Sequence, residues 1–222
     1  MMATNYKGIF ITVEGPDKAG KTTQLKMLKD YSEQNEKDWV FTRNPGGTEL
    51  GNRLRNIVLD SKETISDMAE LMIYIADRAH HVDQFIRPKL ETGKIVICDR
   101  FTDSTMAYQG YGRNMDLKLI DQMNIAVCAE VRPTLSILLT VSEKVANERS
   151  KGAEKDRLEQ ESKLFFVRVR NGYNTIAKTE PDRFKVISTD FMTPDEVQAQ
   201  VINYIEEHIT DVQTLRSKGI YR

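Results

Sequence analysis

The segment "IFITVEGPDKAGKTTQLKMLKDY", residues 9 to 31, limits the possible folds more than any other part of the chain. An apolar β-branched run ends in Gly15-x-x-x-x-Gly20-Lys21-Thr22, and helix formers follow at once. Glycines at that spacing let consecutive backbone N–H groups curl around one anion, and the helix start adds the positive end of its dipole. Lys21 can reach the β and γ phosphates of a nucleotide, and the Thr22 hydroxyl can ligate Mg²⁺. The loop from Gly15 through Pro16, Asp17, Lys18, Ala19, Gly20, Lys21, Thr22 and Thr23 is therefore the expected phosphate cradle. Its unusual content is an acid, Asp17, and a second base, Lys18, between the two glycines.

A strand, phosphate loop and helix in that order belong to a parallel sheet, and the rest of the chain repeats the alternation. "GIFITVE", "DWVFT", "GKIVICD", "LSILLTV" and "RFKVIST" read as five strands separated by helical patterns. Their near-continuous apolar character suits a sheet covered on both faces. The expected class is α/β, a doubly wound five-stranded parallel sheet with helices on both faces. At 222 residues the chain fits a single domain over 1–222, with a short lid at about 149–157.

Charge adds an exclusion. With 32 basic and 33 acidic side chains, no long-range field draws the protein to nucleic acid or membrane, so anion binding must be local. The N-terminus lacks the basic and apolar regions of a signal peptide, and no run reaches the ~18 apolar residues of a membrane span. A cytoplasmic protein is expected. Cys98 and Cys128 lie in apolar contexts without metal-ligand spacing, which makes them packing residues.

The strand "KIVIC" ends in Asp99-Arg100. A carboxylate there can organise Mg²⁺, and an arginine beside phosphates suits transfer between two anionic substrates. Arg43, before the turn "NPGGTELG", ends another strand at the edge where parallel sheets bind ligands, and Thr48 can cap the helix that follows. The longest helix is expected to start at an N-cap Ser66 and run toward Pro88, with Met68, Leu71, Met72, Ile75, Ala79, Val82 and Ile86 as its apolar stripe. Tyr74 and Arg78, four residues apart, fall at the edge of that stripe. His80 and His81 are adjacent, so they diverge by roughly 100° and read as structural rather than as a metal pair. "RSKGAEKD", Arg149 to Asp156, reads as a charged surface loop between two helices, and "DVQTLRSKGIYR" carries no functional signal.

Taken together, "GPDKAGKTT", "FTRNPGGTELG", "LMIYIADRAHHV", "DRFTDSTMAYQG" and "DRLEQES" resemble, in order and spacing, the thymidylate kinases of bacterial form, from Lys7 to about Ile209. The resemblance implies transfer of the γ-phosphoryl group of ATP to dTMP with Mg²⁺, giving dTDP and ADP. It implies that Arg43 and Arg100 hold the dTMP phosphate, that Asp17 reaches the sugar 3′-hydroxyl, and that Tyr74 stacks on thymine. It further implies that Arg78 bonds O4, that Ser104, Tyr108 and Gln109 line the nucleoside pocket, and that Tyr108 stands near the sugar 2′ carbon. Thr22, Asp99 and Glu159 are the implied metal-site residues. The lid would supply Arg149, Lys151, Lys155 and Arg157. Members with an arginine-rich lid usually have glycine where Lys18 stands, whereas members with arginine there have a poorer lid; this chain fits neither pattern, so Lys18 is expected to share charge stabilisation with Arg149 and the lid. A homodimer is implied as well.

Two other readings share these features. Another nucleotide or small-metabolite kinase would carry the same loop and Asp-Arg step. A nucleotide-dependent switch would bind ATP without phosphotransfer, although the Asn-Lys-x-Asp motif of guanine switches is missing from the sequence.

Overall fold

The computed structural model describes residues 6–60, 64–152 and 156–219. Five parallel strands, β1 (Ile9–Glu14), β2 (Trp39–Arg43), β3 (Ile95–Asp99), β4 (Leu135–Thr140) and β5 (Phe184–Ser188), pair in the order β2-β3-β1-β4-β5. Each agrees with an apolar run picked out in the sequence. Helices α1 (Lys21–Gln34), α2 (Glu49–Asp60), α3 (Asp67–His81), α4 (Arg87–Glu91), α5 (Thr102–Thr105), α6 (Leu117–Cys128), α7 (Glu143–Arg149), α8 (Lys163–Thr179) and α9 (Pro194–Ser217) complete the two outer layers.

Strand alternation divides the core. Ile9, Ile11 and Val13 of β1 join Ile97, Ile137 and Leu139 beneath Leu28 of α1 and Val197, Val201 and Ile205 of α9. Phe10 faces the other way, against Val96, Cys98, Phe101, Leu90 and Cys128. Both cysteines are thus packing residues, and burial pushes the Cys128 thiol up to about 11. The same alternation sends Glu14, the last residue of β1, to this second face, where it is fully buried.

Ser66 caps α3 as expected, its side chain accepting from Ala69 N–H. The path beyond differs from a single helix: a π-helical turn, Val82–Ile86, follows α3, and α4 continues past Pro88, which sits in its first turn. The longest α-helix among the described residues is instead α9, with 24 residues. The apolar stripe also turns out rotated. Leu71, Ile75, Val82 and Ile86 are buried, but Met68 and Met72 are exposed, and Glu70, Tyr74, Asp77, Arg78 and His81 face inward. Buried polar pairing, invisible to a hydrophobicity count, decides that face. The C-terminal segment has a structural use: Arg216 of α9 donates to the carbonyls of Tyr6, Lys7 and Gly8 and holds the entry to β1.

Candidate active site

The phosphate loop joins β1 to α1, and its glycines differ in what they require. Gly15 has φ 139°, and a Cβ there would lie 2.2 Å from the Leu139 carbonyl oxygen of β4. Gly20, at φ 96°, faces open space, so its conformation alone asks for glycine. Lys18 adopts the left-handed region with a side chain, at φ 64°. Lys21 is buried, and its Nζ donates to the Gly15 and Pro16 carbonyls at 2.9 Å each. Burial first, and then Arg100, pull its ammonium down to about 8. Thr22 and Thr23 are exposed in the first turn of α1.

The carboxyl ends of β2 and β3 bring further charge to this edge. Arg43 and Asp99 are register partners, and the Arg43 side chain is exposed with no hydrogen bond or ion pair among the described residues. Arg100, left-handed at φ 63°, is a hub. Its NH1 donates to the Gly15 carbonyl at 2.9 Å and to the Tyr173 hydroxyl at 3.1 Å, and its NH2 to Asp17 Oδ1 at 2.5 Å. The Tyr108 hydroxyl donates to Asp17 Oδ2 at 2.7 Å, and the Arg100 guanidinium lies 5.0 Å from the Tyr108 ring centre. Burial works to raise the Asp17 carboxyl, but Arg100 and Lys21 hold it below its ordinary value. The acid is therefore ionised, and two donors fix its orientation.

A cleft opens beside this cluster, lined by Asp17, Tyr74, Arg78, Arg100, Tyr108 and Gln109. Ser104 also lines it, with its Oγ donating to Glu14. Arg78 is fully buried: NH1 donates to Asn124 Oδ1, and NH2 to Asn44 Oδ1, the Phe101 carbonyl and Thr105 Oγ1. This is not the edge-of-stripe position the sequence suggested, because segments remote in the chain, among them α6, supply the acceptors that make its burial tolerable. A second cleft lies across the loop beside Pro16, Lys18, Val141, Glu159 and Lys163, and Asp17 lines both.

The cations expected in a lid separate. Arg149 is the last residue of α7 rather than part of a loop, because Ser142 caps a helix that runs through it. It donates to the Lys18 carbonyl at 3.0 Å and to the Thr189 carbonyl at 2.7 Å. Lys151 is exposed on the following turn, and Lys155 lies outside the described residues. Arg157 donates to the Val58 carbonyl and to Glu70. Glu159 pairs with Lys18 at 2.8 Å.

Three contributors escaped the sequence reading. Arg55 of α2 lines the cleft near Arg43, and burial first, then that neighbour, holds its guanidinium below its usual value. Fully buried Glu14 accepts from Phe101 N–H at 2.7 Å and Ser104 Oγ at 2.6 Å, and burial, then Asp103, raises it to about 7. Glu70, also fully buried, binds Arg113, Arg157 and Gln109. In sequence these are ordinary charged residues of a helix or strand end; only their partners, remote in the chain, distinguish them.

No group of three or more His, Cys, Asp or Glu side chains among the described residues is arranged to hold a metal alone. Asp99 Oδ1, however, is buried without a partner among them, at the strand end next to the loop that leads into Thr22. An orphaned carboxylate oxygen and a hydroxyl fit Mg²⁺, which completes its shell with phosphate oxygens and water. His81 is occupied by Thr42, Nε2 to Oγ1 at 2.7 Å, and burial pulls it down to about 4.

The thymidylate kinase family model matches residues 13–201. The thymidylate kinase of Desulfovibrio desulfuricans is 41% identical over 210 residues, covering 90% of this chain and 96% of that relative. That of Protochlamydia amoebophila is 37% identical over 221 residues, covering 95% and 98%. The crystal structure of thymidylate kinase from Ehrlichia chaffeensis matches with a TM-score of 0.73 at 38% identity, over 90% of this chain and 98% of that one.

Proposed function

The chain belongs to the thymidylate kinase family, and from that premise we propose that it transfers the γ-phosphoryl group of ATP to dTMP, giving dTDP and ADP. The observation that carries this reading is the placement of Asp17 on the wall between two clefts, tied to Arg100 and Tyr108, with Lys21 behind it. ATP would occupy the side of Lys18 and Arg149, with its phosphates in the loop, and dTMP the side of Tyr74 and Gln109.

In that arrangement the loop amides and Lys21 hold the donor phosphates, while Arg100 and Arg43 bind the phosphate of dTMP and offset the repulsion between two anions. Phosphoryl transfer needs little covalent help, so charge placement around the moving group supplies most of the acceleration. Asp17, ionised and held by two donors, accepts from the sugar 3′-hydroxyl and aligns the acceptor. Tyr74 stacks on the base. Arg78 lines the cleft, and its Nε–H, without a partner among the described residues, is the donor left for O4. Tyr108 closes the space a ribose 2′-hydroxyl would need. Thr22 and Asp99 would hold Mg²⁺, which would supply charge neutralisation of the donor phosphates; Glu159, here paired with Lys18, would be the third residue to hold it.

Burying the thymine methyl is worth only ~0.8 kcal/mol, so dUMP should be a poorer but real substrate, about fourfold down. Mismatched polar edges cost ~1–3 kcal/mol each, so dCMP and purine nucleotides should be rejected more firmly. We place the enzyme in the cytoplasm as a homodimer, since Ile57, Met72 and Ile125 on α2, α3 and α6 leave apolar surface that a second copy would cover. No helix among the described residues is long and apolar enough to cross a membrane. A coupled ADP-release assay across dTMP, dUMP, dCMP, AMP and thymidine tests the assignment. Fastest turnover with dTMP is expected; preference for another acceptor would favour a different kinase, and tight ATP binding with no dTDP formed would favour a nucleotide-dependent switch.

A further inference from the structure

Glu70 sits at the first turn of α3, fully buried, where a carboxylate needs strong reasons to be. Three donors from two segments remote from α3 supply them. Arg113 offers Nε at 2.8 Å and NH2 at 2.9 Å, Arg157 offers NH2, and Gln109 offers Nε2 at 2.9 Å. Burial would raise the carboxyl, but Arg113, then Arg157 and Gln109, hold it below its ordinary value, so it is ionised and can only accept hydrogen bonds.

The effect reaches the cleft. A glutamine amide has a donor end and an acceptor end, and either can face a ligand unless something fixes it. An ionised carboxylate accepts only the NH2 end. Gln109 lines the cleft, and its Nε2 is claimed by Glu70, so Oε1 remains for whatever enters. Thymine and uracil present an N3–H donor on their Watson–Crick edge, whereas cytosine presents a bare N3 acceptor.

We propose that Glu70 is a positioning residue for base selection: it locks the Gln109 amide with its carbonyl oxygen toward the cleft, so that the site accepts a pyrimidine carrying N3–H and repels one that lacks it. This rests on the reading of the cleft as the nucleoside monophosphate site. The same carboxylate also grips Arg157, at the end of the predicted lid, and so joins base selection to the segment between α7 and α8.

The test is the ratio of kcat/KM for dTMP to that for dCMP, with folding checked by thermal unfolding. Wild-type protein with no turnover of dTMP would overturn the substrate assignment itself, before any variant is made. With that turnover present, Glu70→Gln should lower the ratio by about tenfold or more, mainly through KM, because a neutral amide in place of the carboxylate lets Gln109 present either end. Arg113→Lys, which weakens the ion pair but leaves both members of the amide lock, should keep the ratio within about twofold. The exchanged pair Glu70→Gln with Gln109→Glu should restore preference for dTMP, since the amide then on α3 donates to a carboxylate that still offers an oxygen to the base. The exchange retains one carboxylate among the same arginines, so it carries the test if Glu70→Gln alone does not fold. A folded Glu70→Gln with an unchanged ratio, an Arg113→Lys that loses the ratio equally, or an exchanged pair indifferent between the two nucleotides would each overturn the proposal.

Discussion

Replacing Lys18 with glycine separates the catalytic from the structural use of the loop's second base. On the structural side the contributions nearly cancel. A side chain held at φ 64° costs ~1–2 kcal/mol, which glycine relieves. Glycine gives back ~0.5–1 kcal/mol in unfolded-chain entropy. The lost ion pair to Glu159, whose side chains remain 26% and 16% exposed, is worth ~0.2–1 kcal/mol after screening by solvent. The net is within about 1 kcal/mol, or a melting shift of about 2–4 °C for a chain of this size. On the catalytic side, a cation sharing the charge of the moving phosphoryl group is worth far more; loss of such a group lowers turnover by about 10–10³-fold, the lower end applying if Arg149 compensates. The assay is steady-state kcat with saturating ATP and dTMP, beside a melting curve. The expected result is a normally folded protein with turnover down at least about tenfold. Turnover of Lys18→Gly within about twofold of wild type would refute the reasoning and leave Lys18 as a lid tether.

Arg100→Lys keeps the charge but cannot reach Gly15, Tyr173 and Asp17 together, so kcat/KM for dTMP should fall by about 10² or more, read in the same assay. The two loop glycines should part company: Gly15→Ala drives a Cβ into the Leu139 carbonyl and should abolish soluble expression or lower the melting point sharply. Gly20→Ala meets no atom and should cost only the ~1–2 kcal/mol of left-handed strain, with weaker ATP binding by calorimetry. The depressed Lys21 gives a pH signature. Its ammonium, the form that binds phosphate, is present below about pH 8 and lost above it, so ATP affinity should fall as pH rises through about 8, with proton uptake on binding. A flat affinity from pH 7 to 9 would show that Lys21 stays charged in the free protein. On the stability side the sign is opposite: the unfolded chain, with an ordinary lysine, binds more protons between about 8 and 10.5, so the folded state gains there as pH rises.

Local signals were decisive where function depends on the chain's own neighbours. The phosphate loop needs glycines at fixed offsets between a strand and a helix, and β1 and α1 stand at Ile9–Glu14 and Lys21–Gln34 around it. Five apolar runs became five parallel strands because a strand buried on both faces must be apolar almost throughout. Arg43 and Asp99-Arg100 sit at strand ends because the chain turns there into a loop on the binding edge. The ordered motifs then pointed to one family.

What periodicity could not give was the inward face of α3. Hydrophobicity counts assign Met68 and Met72 to the core, put Arg78 only at the edge of that stripe and leave Glu70 and Asp77 out of it, yet the structure buries all three charged residues and exposes both methionines. A charge becomes buriable only when partners from distant segments satisfy it. Asn44, Thr105 and Asn124 do so for Arg78, and Gln109, Arg113 and Arg157 for Glu70. The sequence therefore determined the scaffold and the strand-end edge proposed to bind phosphate, because these follow from local backbone geometry and strand burial. Only the tertiary structure decided how Lys18, Arg149 and Arg157 divide between partners and which end of Gln109 faces the cleft, because pairing energies between residues tens of positions apart exist only once the sheet has brought them together.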